Sequence, residues 1–252
     1  MSTLTGTASD QVAEILATGR SAVTTLYVSM SARHPEGRDA SYLEWHTLDH
    51  RPEQYRLGSV RAASRLVSTA ACRAARAAGS ARYDATDHLM TYFFADAAGL
   101  EPFGALGAAL TRAGRVPYLL PAVERAVYRV EGILAASRIK VGADVLPWWP
   151  AKGMYVLIER GAESPAELLE VPGVGGVCWG AWLVVDPRYT TAAASQNGGL
   201  KITYCFLDED AVTTAERLRA VLEKRWTRAR IEPLFAAPFE VLVPYQWNRF
   251  VP

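Results

Sequence analysis

Two of the four histidines of this 252-residue chain lie four positions apart in one short stretch, YLEWHTLDHRPEQYRLG, at residues 42–58. On a helix, about 100° per residue places His46 and His50 on one face together with Trp45 and Tyr42. Imidazole changes its charge near neutral pH and can accept or donate a proton. The spacing therefore predicts an acid/base pair, with His50 slightly favoured over His46, that faces a core or a pocket.

The segment HTLDH also permits a metal-site interpretation, because histidines four apart on a helix can share a zinc ion. Its order is that of the H-x-x-E-H zinc motif, with Asp49 in place of the glutamate. The shorter carboxylate and the lack of a recognisable third ligand favour a site without a metal. The three cysteines are widely spaced and include no CxxC pair, which argues against a thiolate zinc site and against a disulfide framework.

A further histidine begins the segment HLMTYFFADA, at residues 88–97, whose composition predicts a strand. Alternation along a strand places His88 and Tyr92 on the same face. If that face lines the pocket, both residues join the catalytic group, although a histidine at the end of a strand is more often structural. His34 lies in a loop next to a proline and is expected to have no catalytic role.

Aromatic and arginine side chains complete the candidate site. The chain has seven tryptophans, and aromatic rings suit flat, apolar ligands when they are not simply part of the core. Arg61, Arg65 and Arg129 lie on predicted strands, where they are either solvated surface charges or ligands for a polar substrate group. The residues expected to bind the substrate are Trp45, Tyr42, Tyr27, Arg61, Arg129, Trp182 and Tyr204.

The overall charge excludes several classes of partner. Lys plus Arg is 27 and Asp plus Glu is 26, a net charge of +1, which offers no field to recruit nucleic acid or an anionic membrane. No apolar run is long enough to span a membrane, and residues 1–20 have no basic start followed by an apolar run, so we expect no export signal. The glycine cluster GVGG at 173–176 lies after a helix and before a strand, the reverse of a phosphate loop. We therefore expect a cytoplasmic protein with a small-molecule substrate.

The predicted elements follow the same order twice. A polar lead and a short helix occupy residues 1–20, and residues 70–86 are either a helix or an irregular insertion. Strands are predicted at 21–31, 59–69, 88–97, 126–136, 153–161, 177–186, 200–210 and 236–247. Helices are predicted at the histidine stretch, capped by Asp39 or Ser41 and ended or kinked at Arg51-Pro52, at 100–115, at 164–171 with Ser164 as its cap, and at 210–228.

Each half thus has the β-α-β-β-α-β order of a ferredoxin-like unit, an α+β fold. Such a unit is a four-stranded antiparallel sheet with helices on one face only. We expect two tandem units, at 1–137 and 138–252, whose bare sheet faces pack against each other as an intramolecular α+β barrel. The histidines of the first unit would then point into the space enclosed by the two sheets.

The order of elements resembles the dimeric α+β barrel superfamily, here as a tandem two-module chain. WHTLDHRPEQYRLGSVRAASRL is similar to EthD-like and antibiotic-biosynthesis-monooxygenase-like modules, in which an aromatic residue and a histidine precede H-x-P-E, then a glycine and an arginine-bearing strand. His50 matches the histidine of H-x-P-E. In the second half, LLEVPGVGGVCWGAWLVV resembles the helix-PGV-strand junction of these modules, but Ala166, Glu167 and Leu168 stand where the histidines would be.

The resemblance implies a choice of activities, since the superfamily includes cofactor-independent monooxygenases, lactone isomerases, polyketide cyclases and haem-dependent dehydratases. We expect a cofactor-independent lyase, isomerase, cyclase or dehydratase in which a histidine moves a proton of an aromatic or polyketide-like molecule. The alternatives are a haem enzyme, with His46, His50 or His88 as axial ligand, and a small-molecule-binding protein without chemistry. A tandem pair can cover its own sheets, so a monomer and a homodimer are both compatible with the sequence.

Overall fold

The computed structural model describes residues 22–191 and 197–252, so the helix predicted within residues 1–20 lies outside the described residues. Eight strands form one closed barrel in the order β1-β3-β2-β8-β5-β7-β6-β4, and β4 pairs with β1 to complete it. Their bounds are β1 Thr25–Ser31, β2 Val60–Val67, β3 His88–Phe94, β4 Ala122–Ala135, β5 Gly153–Arg160, β6 Val174–Trp182, β7 Leu200–Leu207 and β8 Glu232–Val241.

The barrel contains the same four-stranded sheet twice. The first four strands lie in the order β4-β1-β3-β2 and the last four in the order β8-β5-β7-β6, which is the ferredoxin-like order in both cases. The two sheets face each other across the interior and also join at both edges, where β2 pairs with β8 and β4 pairs with β6. The predicted α+β barrel is confirmed, and edge pairing makes its two sheets one continuous wall.

Helices cover the outside of the barrel. The helices of the first half begin with a continuous helical segment made of α1 (Asp39–Trp45), a π-helical turn (His46–His50) and α2 (Arg51–Gln54). Two further helices follow in this half, α3 (Ala70–Ala74) and α4 (Leu100–Arg112). The second half carries α5 (Ala211–Ala229). Among the described residues, no helix is long and apolar enough to cross a membrane.

Some of the predicted helix boundaries differ from the structure. Asp39 does not cap α1, because its carboxylate accepts hydrogen bonds from the backbone N–H of His34 and from His88 instead. Ser164 does not cap a helix either, since Ala166–Glu170 forms a short 3₁₀ segment without a side-chain cap. Residues 70–86 combine both expectations: α3 is followed by turns and by a bridge from Ala78 to β8.

The interior of the barrel is a packed core. Buried side chains from both sheets meet there, including Phe93, Tyr128, Tyr204, Phe206, Phe235 and Phe239. The outer face of the first sheet packs against α4, and that of the second sheet packs against α5. The expectation that the histidines point into the enclosed interior is therefore wrong: bulky aromatic residues fill that space, and the histidines lie outside the first sheet.

Candidate active site

A cavity of about 490 Å³ lies between the outer face of the first sheet and the helices that cover it. Its floor consists of alternate residues of β1 and β3, among them Tyr27, Ser29 and Tyr92, whose neighbours along each strand point into the barrel. The walls come from the histidine-bearing helices, from α4 and from the loop after α4. Strand alternation and helix packing thus place the predicted histidines over the sheet.

The π-helical turn positions the two imidazoles. The backbone N–H of Arg51 donates to the carbonyl of His46, five residues back, so this turn holds one residue more than an α-helical turn. Pro52 follows at once; proline has no N–H to donate, and its ring crowds the carbonyl four residues earlier, which explains the wider turn. The ring centroids of His46 and His50 lie 5.4 Å apart, and that of Trp45 lies 4.9 Å from that of His50. The predicted shared face is confirmed.

Two further side chains connect the imidazoles. The Tyr92 hydroxyl donates to Oε1 of Gln54, and this hydroxyl also lies 3.3 Å from Nε2 of His46. The amide nitrogen of Gln54 lies 3.0 Å from Nε2 of His50. Gln54 and Tyr92 are both buried, and within the described chain Nδ1 of each histidine is buried without a hydrogen-bond partner. A four-residue network therefore leaves one free nitrogen on each imidazole.

The network can run in two directions because an amide offers both a donor and an acceptor. In one direction, His46 donates from Nε2 to Tyr92 and Gln54 donates to Nε2 of His50, which leaves a bare Nδ1 on His46 and an N–H on His50. The other direction needs the amide rotated and each ring in its other tautomer, and every bond is then reversed. In either direction the pair presents one proton acceptor and one proton donor at its free nitrogens.

Burial sets the protonation of this network. The pKa of His46 lies well below its usual value because the ring is fully desolvated, and the neighbouring Arg65 charge lowers it further. Burial and Arg65 also lower the pKa of His50. Burial raises the pKa of the Tyr92 hydroxyl, so this phenol keeps its proton. At neutral pH both imidazoles are neutral and Tyr92 is a hydrogen-bond donor.

The cavity carries positive charge. Arg65 is 3 % exposed and donates from Nη2 to the Tyr42 hydroxyl at 2.8 Å, with its guanidinium carbon 5.1 Å from the Tyr42 ring centroid. Arg125 lies at another part of the wall, and no Asp or Glu is among the lining residues in the described chain. Asp49 pairs with Arg115 at 2.9 Å, and its charge only partly opposes the lowering of the His50 pKa by burial and Arg65. The lining favours a ligand with an anionic or strongly polarised oxygen.

His88 lies behind this wall. It is fully buried, it does not line the cavity, and its Nε2 lies 2.8 Å from Oδ1 of Asp39. Burial lowers the pKa of His88; the pKa of Asp39 is also lowered, because hydrogen bonds from His88 and His34 outweigh the opposing effect of burial. A neutral imidazole therefore donates to an ionised carboxylate. The His88 ring lies 5.7 Å from that of Tyr42, which in turn holds Arg65.

The structure brings six predicted site residues to the cavity and places the others elsewhere. The six are His50, His46, Tyr92, Trp45, Tyr42 and Tyr27. Besides His88, four predicted residues lie away from it. Tyr204 is in the barrel interior, 2.5 Å from the Thr91 hydroxyl, and Trp182 packs against the same core. Arg129 is exposed on β4, and Arg61 is the extra residue at an irregularity in β2, which removes it from the alternation that places Arg65 at the cavity.

Gln54, Phe103 and Arg125 are among the residues of the site that were not predicted, and Arg65 was named without being assigned to it. Gln54 follows His50 by four positions, so the helical face that pointed to the histidines could also have pointed to it. Phe103 on α4 and Arg125 on β4 reach the cavity only through tertiary packing. No local pattern marks these two residues, because they are far from the histidines along the chain. Only the order of the strands in the barrel brings them close.

The chain is similar to solved structures of low sequence identity. No protein-family model matches it, and no curated protein matches it. An anthrone oxidase-like protein is 13% identical, with 88% of this chain and 92% of that chain covered and a TM-score of 0.45. A proposed monooxygenase from Fusobacterium nucleatum is 12% identical, and the match covers 88% of this chain and 94% of that chain with a TM-score of 0.46. A dye-decolorizing protein from V. cholerae is 12% identical, and the match covers 90% of this chain and 96% of that chain with a TM-score of 0.47. These likenesses are of overall fold.

Proposed function

We propose that this protein is a cofactor-independent enzyme that moves a proton of an aromatic or polyketide-like small molecule by histidine acid/base chemistry, as a lyase, isomerase, cyclase or dehydratase. The observation that supports this most is the pair of neutral imidazoles, His46 and His50, joined through Tyr92 and Gln54 in the wall of an aromatic-lined cavity. A neutral imidazole is the form that can act as a general base.

The network supplies the two functions that such a reaction needs. Nδ1 of one neutral imidazole accepts a proton from the substrate, and the imidazolium that forms gives this proton back to the leaving group or to the adjacent carbon. Arg65 stabilises the oxyanion that forms when a proton is removed next to a carbonyl. The ring is neutral again when it has returned the proton, so one turnover leaves the hydrogen bonds among His46, Tyr92, Gln54 and His50 as they began.

The second half would serve as a scaffold in this proposal, with the chemistry confined to residues 1–137. The comparable outer face of the second sheet carries no histidine and is filled by the apolar contacts of α5, among them those of Leu218 and Leu222 with Leu157. Two buried charged groups there, Glu159 and Arg225, pair with each other at 3.6 Å. Neither is left free for a substrate.

The test begins with ligand discovery. Native mass spectrometry of the purified protein with a panel of aromatic polyketides and phenolic acids identifies a ligand, and chromatography then follows its conversion. We expect His50→Gln and His46→Gln each to reduce turnover at least about a hundredfold, in the range of general acid/base catalysis. His34→Gln is the matched control, because His34 does not line the cavity. Unchanged turnover in both cavity variants would refute the proposal, and a ligand that binds without conversion would indicate a binding protein.

A haem enzyme is the second candidate, and one observation favours it. An imidazole that ligates iron needs an acceptor for its opposite N–H, and Gln54 can provide this for His50. His50 lines the cavity, whereas His88 is fully buried outside it. His50 would hold the iron and Arg65 and Arg125 would pair with the propionates; the haem would supply iron redox chemistry. A Soret band on adding haemin, lost in His50→Gln, would support this candidate, and its absence from the wild-type protein would exclude it.

A further inference from the structure

A second cavity, of about 290 Å³, lies at the seam where β2 of the first sheet meets β8 of the second. Three arginines line it, namely Arg51, Arg61 and Arg65. Its lining in the described chain includes no Asp or Glu. The concave surface therefore carries three guanidinium groups and no carboxylate to balance them.

These arginines have few partners within the protein. In the part of the chain that the structure describes, Nε of Arg51, of Arg61 and of Arg65 is buried without a hydrogen-bond partner, and no ion pair involves any of the three. Arg61 donates to the Gly58 carbonyl at 2.9 Å, and Arg65 donates to the Tyr42 hydroxyl at 2.8 Å. A buried donor without an acceptor destabilises the fold, so three such donors around one cavity point to an anion that completes them.

The surrounding backbone fixes the arginines in place. The indole N–H of Trp148 donates to the Arg61 carbonyl at 2.9 Å, and the Arg65 carbonyl accepts from the backbone of Leu242 at 3.0 Å. The irregularity in β2 at Arg61 removes this residue from the strand alternation and turns it to the seam rather than to the histidine cavity. The backbone of Arg61 and of Arg65 is therefore held in place before any ligand arrives, which favours binding.

We propose that this cavity binds the phosphate group of a small organic molecule, with Arg51, Arg61 and Arg65 as its ligands. A phosphate monoester carries nearly two negative charges and several acceptor oxygens, which suits three guanidinium groups; a carboxylate would leave two of the three without a counter-charge. The rings of Tyr55, Trp148 and Trp149 also line the cavity and offer an apolar surface to the organic part of the molecule. Arg65 lines both cavities, whereas Arg51 and Arg61 line this one and not the histidine cavity, so substitutions at those two arginines test the proposal separately from the reaction at the histidines.

Isothermal titration calorimetry at low ionic strength tests this proposal, with inorganic phosphate, phenyl phosphate and benzoate as probes. We expect phenyl phosphate to bind more tightly than inorganic phosphate, and benzoate at least about tenfold more weakly than phenyl phosphate. Arg61→Gln should weaken phenyl phosphate binding at least about tenfold, because Arg61 lines this cavity and not the histidine cavity. Arg51→Gln should have a similar effect and replaces Arg61→Gln as the test if the latter fails to fold by circular dichroism.

Arg56→Gln is the matched control. It removes the same charge from the same segment, but Arg56 is an exposed residue that pairs with Glu53 at 2.7 Å and does not line the cavity. We expect its affinity for phenyl phosphate to stay within about twofold of wild type, since surface charges act weakly. Binding that is equal in the wild-type, Arg61→Gln and Arg51→Gln proteins would overturn the proposal, as would benzoate binding as tight as that of phenyl phosphate.

Discussion

The buried histidines predict that acid destabilises this protein well above the pH at which carboxylates titrate. The unfolded chain binds a proton at each histidine near pH 6.5, whereas burial lowers the pKa of His46, His50 and His88 in the folded state. Below that pH the unfolded state therefore holds more protons than the folded state. Stability is fully present above about pH 6.5 and is lost as the pH falls toward the folded-state values.

The size of the effect follows from proton linkage. A histidine that stays neutral in the folded protein loses about 1.4 kcal/mol of stabilisation between about pH 7.5 and about pH 5.5, so three such groups set an upper limit of about 4 kcal/mol. His46 has the most strongly lowered pKa and should contribute nearly its whole share. We therefore expect His46→Gln to unfold in urea with a pH dependence about 1.4 kcal/mol smaller than that of the wild-type protein over this range.

Each protein serves as its own control in this measurement. Any loss of packing caused by the substitution is present at both pH values, and the titration of other groups is common to both proteins, so both cancel in the difference. A His46→Gln variant whose free energy of unfolding changes with pH as much as that of the wild type would show that His46 titrates normally in the folded state. The account of a neutral imidazole pair would then be wrong.

Three further substitutions, one of them with a matched control, test the fold that holds the site. Gly180→Ala at the β4–β6 seam would place a Cβ 2.6 Å from a backbone oxygen, so we expect a loss of about 1–3 kcal/mol in urea unfolding, whereas Gly58→Ala, with nothing within 4 Å, should be nearly neutral. Arg225→Leu removes the buried partner of Glu159 and should cost about 3–5 kcal/mol by the same assay; a neutral effect would mean that the carboxyl is already protonated. Asp210→Ala removes the cap of α5, where its side chain accepts the Thr213 N–H at 2.9 Å, and should lower the free energy of unfolding by about 1 kcal/mol; an unchanged thermal melt would contradict this.

Local sequence patterns determined the elements and the central part of the site. The alternation of β1 and β3, the apolar stripe of α5 and the four-residue spacing of His46 and His50 all depend on residues that are close along the chain. Helix and strand periodicities are local, so a sequence can show which residues share a face. The prediction that His88 and Tyr92 lie on the same face of β3 was correct for this reason.

Only the tertiary structure decided which space each face meets. Alternation sorted the residues of β3 into two faces, but it did not show which face points into the barrel interior. In the structure, bulky residues from both halves fill that interior. Strand alternation alone would place Arg61 and Arg65 on one face, but the irregularity at Arg61 separates them, and only Arg65 lines the histidine cavity. Arg125 and Phe103 reached the histidines only through the strand order. Local periodicity sorts side chains into faces, but the choice between core and cavity depends on contacts between residues far apart in sequence, which no short pattern records.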